Sequence, residues 1–318
     1  MPSERMLSSN KTVRILAAAE DGGYGVIAAI VLVFVVAHIG STSQRQPSEA
    51  FAIADDMFSY NIEQILGLVK AAESSRSPLI IQVFPWAITF SDGLLVRTAA
   101  YAAEAASVPV AVHLDHCQNE DMVRHAADNL PFDSIMVHMS HHEKAENLAK
   151  TKELVAYCHE RGVSTEAEPG RIEGGEDGIA DTADLSGILT TPEEVEDFIN
   201  TGVDFLAPAF GNVHGEYGAR GPVLEYDRLD SISTTCKKRG VRVVLHGTND
   251  FEEDVMRKCI AGGVSKINVN KLVLDTYNEH LKAAAPSTVL TKLMEEGVDR
   301  VASLTELWMH RCGSAGRA

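Results

Sequence analysis

Positive charge is in short supply in this chain. Its 28 lysines and arginines stand against 45 aspartates and glutamates, for a net charge of −17. Nucleic acid is therefore not an expected partner, because a polyanion needs a basic surface. Paired cysteines are missing as well. The five present (Cys117, Cys158, Cys236, Cys259, Cys312) are an odd number without a repeated spacing. This argues against a disulfide scaffold or a cysteine zinc cluster. It favours a reducing compartment, so a cytoplasmic location is expected. No cleavable secretion signal is expected either, since Glu4 and Arg5 lead into a polar helix start. Internal repeats and low-complexity tracts are absent. Long apolar runs are nearly so. One stretch, 22–40, carries only His38 as a potential charge. It just reaches the roughly 18 residues of a membrane span, and Gly22, Gly23 and Gly25 thin its start. A buried strand with an apolar extension is the expected reading, with no membrane association.

What is present is material for a core. Hydrophobic residues make up 45% of the 318, enough for one large barrel or two smaller domains. Eight strand-like runs appear, at 26–30, 79–83, 110–114, 134–137, 163–168, 204–207, 241–245 and 266–269. Most intervening stretches have helical periodicity, as at 122–130. Thr191-Pro192-Glu193-Glu194 reads as a helix start, with an N-cap, a first-turn proline and acidic residues at the positive end of the dipole. Repeated βα units predict an α/β protein, a (βα)8 TIM barrel as a single domain over 1–318. A doubly wound open sheet is the alternative. It fits less well because polar residues end many strands and do not gather at one switch point.

A buried parallel strand should be apolar on both faces. Yet Lys266, Asn268 and Asn270 alternate with Ile267 and Val269, Glu166 aligns with Glu168, and His113 aligns with Asp115. One such row reads as a hydrogen-bonded strand end; three point to a barrel mouth. The connection 171–191, rich in Gly, Asp and Glu, has the length of a lid or site loop. Histidines end three of the strand runs: His116 in H-L-D-H, His214 in G-N-V-H-G and His246 in V-V-L-H-G. Each motif alone is weak, since histidines often cap strands. In a barrel, however, the third, sixth and seventh strands converge on one mouth. Three neutral imidazoles beside free carboxylates suit a catalytic zinc that keeps one coordination position open.

Taken in order, H-L-D-H-C (113–117), E-A-E-P-G (166–170), G-G-E-D-G (174–178), G-N-V-H-G (211–215), H-G-T-N-D (246–250) and K-I-N-V-N-K (266–271) resemble the class II, zinc-dependent fructose-bisphosphate aldolase family. The likeness runs from about Ser8 to the C-terminal helix. It implies Zn2+ held by His116, His214 and His246, with Glu168 as an alternate or outer ligand. It makes Asp115 the acid/base for the hydroxyl at the cleaved bond and Glu176 the base next to the ketone. Asn268 would hydrogen-bond the enediolate. Asn61, Gly215, Gly247, Thr248, Asn249, Asn270 and Lys271 would contact the substrate and its phosphate. The implied reaction cleaves or forms a ketose phosphate: fructose 1,6-bisphosphate, to dihydroxyacetone phosphate and glyceraldehyde 3-phosphate, or a close epimer. A homodimer or higher homo-oligomer is expected. The chemistry is coherent. Cleavage leaves negative charge on the ketone half, which a Lewis acid stabilises, and two separate groups must move protons. A base on a mobile loop can reach the side that Asp115 cannot, and can exclude water as it closes. Without the resemblance, Glu176 would read as part of a solvated acidic loop.

The chain departs from the family pattern in several places. Gly247-Thr248-Asn249-Asp250 replaces a small uncharged G-G-S-G, which brings Asp250 towards a phosphate dianion. Lys271 stands where a threonine is usual, and the two changes read as a coupled pair. His138 replaces an aspartate, which affects any alternate metal position. Phe84-Pro85-Trp86 replaces small polar residues after the second strand. Residues 31–58 interrupt the junction between Ile30 and Ser59-Tyr60-Asn61 and read as an insertion, either a natural excursion or translated intron sequence. The altered loop and the insertion also keep open a non-catalytic aldolase-like barrel with a binding or regulatory role. A Schiff-base aldolase using Lys266 is a further rival. A two-metal hydrolase is a third, weakened by the lack of an H-x-H strand start.

Overall fold

A computed structural model describes residues 7–30, 33–34, 58–59, 61–174 and 187–318. Helix α1 (Lys11–Gly22) comes first. The Asn10 side chain caps it by accepting from the Val13 N–H at 3.2 Å, and Gly23 closes it in the left-handed conformation. Eight parallel strands then close into a barrel: β1 (Val26–Ile30), β4 (Leu79–Val83), β5 (Val110–Cys117), β6 (Ser134–Val137), β7 (Ser164–Ala167), β8 (Phe205–Leu206), β9 (Arg242–Leu245) and β10 (Val264–Val269). They neighbour one another in chain order, and β1 pairs with both β10 and β4. The short strands β2 (Val33–Phe34) and β3 (Phe58–Ser59) form a separate antiparallel pair. All eight expected strands are present, and the single-domain barrel is the observed fold.

Alternation along the strands divides the core in two. Ile27, Ile81, Val112, Ile135 and Ile267 point outward into the layer beneath the surrounding helices. Val26, Ala28, Ile80, Ala111, Phe205 and Val244 point inward, where Ile15, Leu16 and Ala19 of α1 pack beneath them and plug the barrel floor. One layer higher the interior turns polar. Gln82 pairs in register with His113, and Met136 with Glu166; Gln82, His113, Glu166 and Lys266 are all fully buried. The polar rows seen in the sequence are the inward faces of β5, β7 and β10 near their C-terminal ends.

The helices follow their sequence signals. Asn61 caps α2 (Ile62–Ser74), its side chain accepting from Gln64 N–H at 3.0 Å. Pro85 opens α3 (Pro85–Ser91), which is followed by α4 (Leu94–Ala105). After β5 comes α5 (Glu120–Asn129), and after β6 α6 (Lys144–His159). Thr191 and Glu194 form a reciprocal capping box at the start of α7 (Pro192–Ile199), with Pro192 in the first turn as expected. The set is completed by α8 (Tyr226–Lys238), α9 (Glu253–Ala261), α10 (Lys271–Ala284) and α11 (Leu290–Arg311).

Two expectations need adjustment or restriction. Strand β5 continues to Cys117, past the expected end at residue 114. Its pairing with β6 shifts between Leu114 and Cys117, and His116 has a φ of 47°. This irregularity lets Asp115 and His116 both face the mouth, where a regular strand would turn them to opposite faces. The apolar stretch 22–40 begins as the end of α1 and strand β1; its remainder lies largely outside the described residues. Among the described residues no helix is long and apolar enough to cross a membrane. All five cysteines are free and buried.

Candidate metal centre

The three histidines predicted from strand ends meet. His116 lies in the irregular end of β5, His214 lies on the loop after β8, and His246 directly follows β9. The ring centroid of His116 is 4.8 Å from that of His214 and 4.8 Å from that of His246. Glu168, just past β7, completes a group whose ligand atoms all lie within 4.8 Å of one another. All four side chains are buried. The left-handed φ of His116 costs on the order of 1–2 kcal/mol for a non-glycine residue, a strain the surrounding packing must hold.

Backbone and neighbouring side chains fix these positions. Gly247, with φ +68°, packs so tightly that an added Cβ would come 2.1 Å from the Val213 carbonyl oxygen. That draws the His246 strand end against the loop bearing His214. Tyr217 spans the same junction, its hydroxyl donating to the Gly247 carbonyl at 2.6 Å and accepting from Val213 N–H at 3.1 Å. The Asn212 amide donates to the His246 carbonyl at 3.1 Å. His246 Nε2 lies 2.8 Å from Glu166 Oε1. A carboxylate can only accept, so Nε2 carries the proton and Nδ1 presents its lone pair. Lys266 Nζ donates to Glu166 Oε2 and to Asn268 Oδ1, both at 2.8 Å. Asn268 Nδ2 and Gln82 Nε2 in turn donate to Asp115 Oδ2, at 3.0 and 3.1 Å.

The residues fit a bound metal. His214 Nε2 and His246 Nδ1 face each other at 3.3 Å. Two nitrogens about 2.0–2.1 Å from a tetrahedral zinc would be roughly 3.3–3.4 Å apart. Burial holds the pKa of His116 and His214 well below the ordinary histidine value, so both are neutral, as ligands must be. Glu168 Oε2 and Asp115 Oδ1 are buried without a protein partner. Burial pushes the Glu168 carboxyl up to about 7. The opposite holds for Glu166 and Asp115. Burial alone would raise both, but Lys266 and His246 bring Glu166 down to about 2, and His116 and His113 hold Asp115 well below the usual range. Asp115 is therefore an ionised carboxylate with Oδ2 anchored by Gln82 and Asn268 and with Oδ1, which makes no hydrogen bond, 3.6 Å from His113 Nε2.

The other predicted residues divide. Thr248 is buried and its hydroxyl donates to the Asn268 carbonyl at 2.6 Å. Asn249 and Asp250 form the turn after it, with Asp250 at φ 61°. Gly215 has φ +98° and open space where a side chain would begin, which leaves its backbone approachable. Asn270 caps α10. Asn61, besides capping α2, donates to the Tyr277 hydroxyl on α10. The expected Asp250–Lys271 pair is not formed: Lys271 Nζ donates to Glu216 at 2.9 Å, an exposed ion pair. Residue 216 lies on the loop beyond His214, which the local sequence around Lys271 does not reveal. Glu176, and most of the segment 31–58, lie outside the described residues.

Several residues around the site were not singled out from the sequence. Gln82 sits in an otherwise apolar strand, and nothing local marks it. Asn212 lies inside the G-x-x-H-G motif and Tyr217 two residues after it, and that proximity was the available signal. Ser140 follows His138 by two residues, and its hydroxyl lies 2.8 Å from His138 Nε2.

An eight-stranded barrel with a buried His/Glu metal-binding group at its C-terminal mouth is the class of protein that fold and site define. Comparison with known proteins makes it specific. A family model described as fructose-bisphosphate aldolase class-II matches residues 44–317. A Coccidioides immitis (strain RS) protein assigned as a fructose-bisphosphate aldolase is 52% identical over 266 residues, covering 81% of this chain and 88% of that protein. A fructose-bisphosphate aldolase of Streptococcus pyogenes serotype M1 is 37% identical over 214 residues, 66% of this chain and 70% of that one. The crystal structure of a Coccidioides immitis protein assigned as a fructose-1,6-bisphosphate aldolase superposes with a TM-score of 0.86, at 46% identity, over 97% of this chain and 98% of that one. The YdjI aldolase of Escherichia coli K12, 22% identical with a TM-score of 0.73 over 96% of this chain and 98% of that one, shares the fold. The chain belongs to the class II fructose-bisphosphate aldolase family, lyases whose membership implies a sugar phosphate substrate.

Proposed function

We propose that the chain is a zinc-dependent aldolase that cleaves and forms fructose 1,6-bisphosphate, the products being dihydroxyacetone phosphate and glyceraldehyde 3-phosphate. The observation that carries this reading is the gathering of His116, His214, His246 and Glu168 beside Asp115 and Asn268 at one end of the barrel. Zinc held by the three histidines, with Glu168 beside it, supplies a Lewis acid for the negative charge that develops on the ketone half. In cleavage, Asp115 takes the proton of the hydroxyl on the carbon leaving as aldehyde. Its low pKa keeps it ionised for this, and its unpartnered Oδ1 is the oxygen available. The electrons of the carbon–carbon bond pass to the ketone half, where the Asn268 amide donates to the oxygen bearing the charge. Glu176 then returns a proton to the carbon. The backbone at Gly215 and Gly247–Asn249, with Asn270 and Lys271, meets the phosphate.

The same contacts count against the Schiff-base rival. A nucleophilic lysine must present a free neutral amine, whereas Lys266 is fully buried and donates to Glu166 and Asn268. The deciding experiment is a retro-aldol assay on ketose mono- and bisphosphates, with and without chelator, alongside the zinc content of His116→Ala, His214→Ala and His246→Ala. Turnover of fructose 1,6-bisphosphate that falls with chelation, and with zinc in all three variants, is expected. Turnover indifferent to chelator sinks the metal assignment. A correctly folded, zinc-loaded protein with no turnover of any ketose phosphate favours a binding role.

A further inference from the structure

His138 stands where the family pattern has an aspartate, and its ring lies between two of the candidate ligands. Its Nδ1 is 2.9 Å from His116 Nδ1, and its Nε2 is 2.8 Å from Ser140 Oγ. Glu168 Oε1 lies 3.8 Å from the same His138 Nε2. His138 and Ser140 are both buried. The two hydrogen bonds form one line, Ser140–His138–His116, and proton counting gives the line a direction.

His138 takes up Nδ1 of His116, so a metal held by His116 must meet Nε2. A neutral imidazole has one N–H, so His116, with its Nε2 lone pair given to the metal, carries the proton on Nδ1 and directs it at His138. His138 Nδ1 accepts, so its own proton is on Nε2 and goes to Ser140 Oγ. Burial keeps both rings neutral, pushing His138 down to about 3 and His116 well below its ordinary value.

We propose that His138 is a positioning residue that, held by Ser140, accepts the Nδ1 N–H of His116 in one directional hydrogen-bond chain and obliges His116 to offer Nε2 to the metal. The proposal rests on His116 being a ligand. It replaces the charged outer partner expected of an aspartate with a neutral one, so the ligand shell of this chain carries one negative charge fewer.

The test uses the full chain loaded with zinc and labelled with 15N at histidine. Two-bond 1H–15N correlation spectra should show His116 protonated on Nδ1 and His138 protonated on Nε2 with no metal attached. His116 protonated on Nε2, or His138 bound to zinc, overturns the proposal. Zinc affinity, measured by competition with a chelating indicator, gives a second reading. His138→Leu removes the acceptor and should weaken binding about 10–100-fold. His138→Asn keeps an oxygen where Nδ1 was and should recover most of that loss. The Co(II)-substituted visible spectrum should keep its ligand count in both variants. Unchanged affinity in a folded His138→Leu overturns the positioning role, whereas a lost ligand band makes His138 itself a ligand. Full zinc retention in His116→Ala is a separate outcome: it defeats the assignment of the centre and with it this inference.

Discussion

Lys266 Nζ donates to Glu166 Oε2 at 2.8 Å inside the barrel, and both side chains are fully buried. Glu166 uses its other oxygen to fix the ring of His246. The pair is therefore part of the support of the metal centre. Lys266→Met leaves a buried carboxylate without its cation and should lower stability by roughly 3–5 kcal/mol, read by urea unfolding. Borohydride reduction in the presence of substrate should leave Lys266 unmodified. A reduced adduct on that residue would revive Schiff-base chemistry.

Asp115→Asn keeps the hydrogen-bonding shape beside Gln82 and Asn268 but cannot accept a proton. It should retain zinc and lose carbon–carbon cleavage by about 10²–10⁴-fold. Glu176→Gln should instead slow hydrogen exchange at the carbon next to the ketone of dihydroxyacetone phosphate. Near-normal exchange in that variant moves the second base elsewhere.

Acid should destabilise the metal-free protein. His113, His116, His138 and His214 all have folded pKa values lowered mainly by burial, His138 to about 3. Below about pH 6.5 the unfolded chain gains protons that the folded chain refuses, so stability falls with pH from there down to the folded values. Glu168 acts in the opposite sense. Its folded value of about 7 means the folded state holds a proton that the unfolded state has lost between roughly pH 7 and 4.5. Four groups against one leave net proton uptake on unfolding near pH 5.5. Thermal melts of chelated protein should therefore show Tm dropping between pH 6.5 and 5; a flat or rising Tm there refutes the buried neutral histidines.

Lys271 pairs with Glu216 and not with Asp250. Both partners are exposed, so their coupling should be within about 1 kcal/mol. A double-mutant cycle on ketose-phosphate binding, Lys271→Thr with Asp250→Gly, should be nearly additive. A strong coupling would mean that Lys271 leaves Glu216 when substrate binds.

We propose that the segment 31–58 is an insertion dispensable to the barrel. Val33 pairs with Ser59 and Phe34 with Phe58 in an antiparallel ladder, so the chain returns to Ser59 beside a residue only three positions beyond Ile30. Deleting 31–58 should leave a folded chain of equal or better solubility with undiminished zinc-dependent turnover. Transcripts lacking the segment would identify it as intron; its presence in every transcript, with loss of folding on deletion, would make it a structural element.

Much of this was legible in the residues. Strand periodicity located all eight barrel strands, because inward and outward positions alternate whatever lies between the strands. The Thr191–Glu194 capping box was readable because helix starts are encoded within four residues. His116, His214 and His246 stood out because each closes an apolar run. What the sequence by itself could not decide is which distant side chains share a proton or a charge. The partner of Lys271 is Glu216 on another loop, Gln82 reaches Asp115 from the neighbouring strand, and Lys266 crosses the barrel to Glu166. His138 read as a lost carboxylate until Ser140 and His116 were found on either side of its ring. Local patterns select strands, caps and turns through short-range sterics and hydrogen bonds. Hydrogen-bond direction and buried charge pairing depend on register and closure, and only the closed barrel brings those groups to within about 3 Å of each other.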